Sequence, residues 1–126
     1  MKSLLAAAAV LALGIAVGPA YAACSYPKAP EKIPDGNSAT LQEMIAAKQS
    51  VKDYDEQINA YTSCLKLEYE AELAKSGSTL TDAQKKELDK RQTQKQNAAV
   101  DEDQQVAARM NEQIRIFKAK QAAAKG

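Results

Sequence analysis

Apolar positions along this 126-residue chain fall into two stripes at helical spacing, separated by a short polar break. In the first, Val51, Tyr54, Ile58, Tyr61 and Leu65 recur at steps of three and four residues, and Tyr69 and Leu73 extend the line by fours. Thr40-Leu41-Gln42-Glu43 reads as a capping box, with Ser38 as an earlier alternative cap, so the spacing predicts a helix from residue 40 to about Lys75. Ser76-Gly77-Ser78 ends it, with Gly77 suited to a left-handed C-terminal conformation. Thr81-Asp82-Ala83-Gln84 is a second capping box.

The second stripe begins late. Asp82 to Asn97 has helix-forming residues but only one large aliphatic side chain, Leu88, and is predicted to be the least stable stretch. From Asp101 to Lys125 the apolar line returns through Val106, Met110, Ile114 and Phe117, joined by Ala99 and Ala107. Either one helix runs through Asn97-Ala98-Ala99-Val100 or the second arm jogs before Asp101. The expectation is an all-α fold, an elongated antiparallel helical hairpin over residues 40–126. Equal steps from the turn place Tyr54 near Ala99 to Val100, Val51 near Asp103 to Val106, and Met44 with Leu41 near Met110 to Ile114. Leu65 and Tyr61 would then face the polar Lys90 to Lys95 stretch, where a further element has to cover them.

That element is the segment before the hairpin. Pro27, Pro30 and Pro34, followed by Asp35-Gly36-Asn37, predict an extended, Pro-rich leader over residues 23–39 ending in a turn. Its Tyr26 is the ring best placed to cover Tyr61 and Leu65. Ahead of it, residues 1–22 carry one charge at Lys2, an apolar run from Leu4 to Val17, a Gly18-Pro19 break and the small-residue site Ala20-Tyr21-Ala22. This is the pattern of a secretory signal peptide cleaved before Ala23, with Cys24 as a second register. A retained anchor would need the Gly-Pro break to lie within a bilayer. A lipid-modified Cys24 would lack the usual aliphatic residue three positions earlier.

Composition narrows the chemistry. The sequence has no histidine and no tryptophan, one phenylalanine and five tyrosines. Without histidine the usual general base, zinc ligand and Ser-His or Cys-His pairs are missing. The two cysteines, Cys24 and Cys64, lie 40 residues apart and not in a Cys-x-x-Cys unit, so in an exported chain they read as one structural disulfide tying the leader to the first helix. The 15 steps from Cys24 to Ala39 reach up to about 50 Å extended, against a rise of about 36 Å from residue 40 to 64, so the bond is within reach.

Residues 23–78 carry 6 basic and 9 acidic side chains and residues 79–126 carry 10 and 7, so the two arms attract when folded back to back. The sum for residues 23–126 is zero, which offers no field for nucleic acid. Asp101-Glu102-Asp103 reads as a solvated charge run, since consecutive helical residues diverge and cannot converge on one ion. The basic tail Arg115, Lys118, Lys120 and Lys125 suits a helix C-terminus and offers at most a peripheral contact with an anionic membrane. We therefore assign no catalytic, cofactor-binding or metal-ligating residues, and no cofactor. The function expected is a non-enzymatic, periplasmic or secreted module acting through contact with an unknown protein partner. The alternative is a self-associating, homo-oligomeric or membrane-peripheral envelope protein, since residues 51–65 keep a coiled-coil-like spacing over two heptads, with lipid anchoring at Cys24 as a variant.

Overall fold

The computed structural model describes residues 23–126; the export signal read over residues 1–22 lies outside the described residues. The chain forms α1 (Leu41–Ser76) and α2 (Asp82–Lys125), packed together and joined by a short link. Both starts are reciprocal capping boxes. The Glu43 N–H donates to Thr40 Oγ1 at 3.2 Å while the Thr40 N–H donates to Glu43 Oε2 at 2.7 Å, and Thr81 with Gln84 repeats the exchange at 3.2 and 2.8 Å. α2 is a single helix through Ala98 and Ala99, without the jog allowed by the sequence. Alanine has the highest helix propensity, and Ala99 is completely buried against α1, so this stretch favours both continuity and close packing.

The link corrects one expectation. Gly77 is right-handed, with φ −59° and ψ −32°, and its N–H donates to the Leu73 carbonyl at 2.7 Å. Glycine suits this position through space and not through a left-handed backbone, because a Cβ here would overlap the Leu73 carbonyl oxygen. The Ser76 carbonyl then accepts from the N–H groups of Thr79 and Leu80, each at 3.0 Å, so that the last carbonyl of α1 is satisfied.

The core is thin and forms two clusters along the line between the helices. Tyr54 and Ile58 pack with Ala99 and Val106, and Met44 packs with Met110 and Phe117. Val51 and Ile33 pack against both. The pairings counted from the turn hold for Tyr54 with Ala99, for Val51 with Val106 and for Met44 with Met110, whereas Leu41 points outward and is 54% exposed. Toward the link, α1 has no buried residue beyond Leu65 and α2 none before Ala99.

Residues 23–40 lie along one side of this line as a strap. Cys24 is bonded to Cys64, with Cα atoms 5.8 Å apart. Neither cysteine is free among the described residues. From there Tyr26 stacks edge-to-face on Tyr61 at 5.0 Å, and Ala29 and Ile33 pack onto the core. The far end docks on α2. The Gly36 N–H donates to Gln113 Oε1 at 2.8 Å, and the turn around Gly36 is closed by the Asp35 carbonyl accepting from Ser38 and Ala39 at 3.1 and 2.8 Å.

Gly36 is buried where the strap meets the α2 backbone, and a Cβ there would overlap the Gln113 carbonyl oxygen and lie 2.8 Å from the Phe117 nitrogen. Gly36→Ala is expected to destabilise the protein by about 1–3 kcal/mol, as overpacking does, measured by denaturant unfolding; an unchanged midpoint would show that the strap is not seated there. Replacing both cysteines by serine is expected to cost about 4 kcal/mol on the chain-entropy model for a 40-residue separation, checked in the same experiment.

Candidate functional site

Two helices in contact leave two seams, one on each side, and the strap covers only one. On the covered side Tyr26 donates its hydroxyl to Glu102 Oε2 at 2.5 Å. Burial, and then the bond to Glu102, push the Tyr26 hydroxyl well above the usual tyrosine range. The Tyr54 hydroxyl beside it is buried without completing a hydrogen bond among the described residues, and burial raises its pKa as well. The strap thus supplies the cover for Tyr61 with the residue expected, Tyr26, and also reaches across to α2.

The acidic run differs from its expected solvated state. Asp101 is exposed, but Glu102 is half-buried under Tyr26, and Asp103 is half-buried with Oδ1 fully enclosed and unpartnered among the described residues. Burial, followed by the facing Asp55 carboxyl of α1, holds the Asp103 carboxyl above its ordinary value of 3.8. The signal was present in the spacing, since 99, 103, 106 and 110 step by four, three and four and place Asp103 inside the apolar stripe.

On the uncovered side a groove of about 250 Å³ runs along the seam. Its floor is Val51, Ala107, Met110 and Ile114. Lys48 and Lys52 border it toward the open end of the hairpin, and Asp55 and Asp103 toward the link. The exposed side chains Leu41, Ile45 and Val100 share the helix faces that flank this groove. A second recess of about 550 Å³ lies between Pro30 and Ile33 of the strap and Arg109 and Gln113 of α2. Its wall residue Glu112 is already engaged by Arg115 at 2.6 and 2.9 Å. The strap-free groove is therefore the better candidate: its apolar floor is continuous with the core and its borders carry separated charge of both signs.

Among the described residues no group of three or more His, Cys, Asp or Glu side chains is placed to hold a metal ion, and no helix is long and apolar enough to cross a membrane. Cys24 and Cys64 are brought together as expected. Compared with known protein families, with curated proteins and with solved structures, the chain shows no match.

The Asp103 carboxyl sets a pH dependence with a definite sign. Its folded pKa is raised, so it opposes folding at neutral pH, and the penalty disappears as pH falls through the folded value. Glu43 and Glu112 are lowered by hydrogen bonds from Thr40 and Arg115, so their contribution is present above the ordinary carboxylate range and lost as pH falls through it. Thermal stability is expected to rise from pH 7 into the mildly acidic range and then to fall. Asp103→Asn should raise the melting temperature at pH 7 by a few degrees and flatten the acid-side rise, and a variant that melts lower at pH 7 would contradict the assignment.

Proposed function

We propose that the chain is exported, loses residues 1–22, and works in the periplasm or outside the cell as a non-enzymatic module that holds another protein surface in its strap-free groove. The observation that carries this reading is the asymmetry of the seam, with one side sealed by a strap held at Cys64 and Gln113 and the other left with an apolar floor. Grooves of this kind accept the apolar face of a helix. Export is supported by the apolar run from Leu4 to Val17, by the small residues at Ala20 and Ala22, and by a disulfide, which persists in oxidising compartments.

Ala107 lies half-buried in the groove floor on the continuous part of α2, so Ala107→Arg fills the groove while keeping a good helix former. In envelope fractions treated with a short cross-linker, the native protein is expected to begin at Ala23 and to give cross-linked species that Ala107→Arg reduces severalfold at unchanged helicity. Cross-linking that is indifferent to this substitution would remove the groove from the reading, and a retained Met1 would remove export.

A further inference from the structure

Charge that is balanced over the chain is sharply divided along the hairpin. Residues 53–104, the half nearer the link, carry 7 basic and 12 acidic side chains, whereas 41–52 together with 105–126, at the open end, carry 7 basic and 2 acidic. The antiparallel fold creates this division by bringing the start of α1 beside the end of α2. Within the strap-free groove, Lys48 and Lys52 lie nearer the open end than Asp55 and Asp103. Lys48 has no ion-pair partner among the described residues, and Lys52 reaches Glu56 only at 3.6 Å.

A surface with opposite charges on either side of its centre is complementary to itself when rotated by a half turn. We propose that the strap-free groove is a two-fold interface between two antiparallel copies of this chain, in which Lys48 and Lys52 of each copy lie on Asp55 and Asp103 of the other. This rests on the reading of the groove as a protein-contact surface and names its occupant. With the axis near Val51 and Val106, the Val51 side chains of the two copies meet across it, and Met110 and Ile114 of each copy lie toward its own open end. Both straps face outward. The pairing supplies the counter-charge that the Asp55 and Asp103 carboxyls lack in one copy.

The test is sedimentation equilibrium on the oxidised protein purified from cells. A dimer is expected at about 50 mM salt, with its Kd rising at least about tenfold at about 500 mM. The double variant Lys48→Glu/Lys52→Glu and the variant Asp55→Lys should each sediment as monomers with native helicity, because all three positions are exposed. An equimolar mixture of the two should recover the dimer, because each then presents what the other needs. A native protein that stays monomeric at low salt, variants that dimerise like the native chain, or a mixture that fails to recover would each overturn the proposal. If the protein is monomeric while Ala107→Arg still abolishes envelope cross-links, self-pairing fails and the groove keeps a different protein as its occupant. If neither dimer nor groove-dependent cross-link is found, both readings fall.

Discussion

Side chains along a single line of helix contact stay wet on both flanks unless something else covers them. The described residues meet that constraint with eight buried side chains, one of them an alanine. Full burial of a Leu or Met side chain contributes about 1.5–3 kcal/mol, and a chain this short buries too few of them to be secure. The strap adds Ala29 and Ile33 to the core and Tyr26 over Tyr61, and the bond between Cys24 and Cys64 removes the freedom that would let it drift away. Extended chain without regular secondary structure thus does the work of a third helix. It does so on one flank only, and the other flank keeps a groove floored by Val51, Ala107, Met110 and Ile114.

Much of this was legible because it is local. Both capping boxes, the stripe from Val51 to Leu65, the staple and the covering role of Tyr26 follow from short-range spacing and from the only available cysteine pair. What escaped depends on the third dimension. Gly36 reads as a turn residue, but its burial comes from a backbone 77 positions away. Leu41 belongs to the correct helix yet turns outward, because Met44 and Ala47 occupy the core face at that end. Asp103 looked solvated as part of an acidic run, although its register put it on the seam. Gly77 has the spacing of a left-handed helix end, but what its position requires is the absence of a side chain beside the Leu73 carbonyl.

Electrostatics shows the same gap between order in sequence and order in space. Read in sequence, the two arms differ modestly and with opposite sign, which suggests attraction between them. Folded, the dominant contrast runs along the hairpin, from an acidic link half to a basic open end, because each helix contributes one end to each pole. Over distances beyond a Debye length of about 8 Å at physiological salt such poles are screened, so they act through contact. A neutral sum therefore conceals a surface with strong local preferences about what lies on it.

The single bond between Cys24 and Cys64 also bears on how the chain matures. A protein with two cysteines has no wrong pairing available within one molecule, so nothing has to be reshuffled. The first cysteine leaves the ribosome 40 residues before its partner, and ring closure must await most of α1. Maturation thus calls for an oxidant to form the bond, with no isomerase needed to correct it.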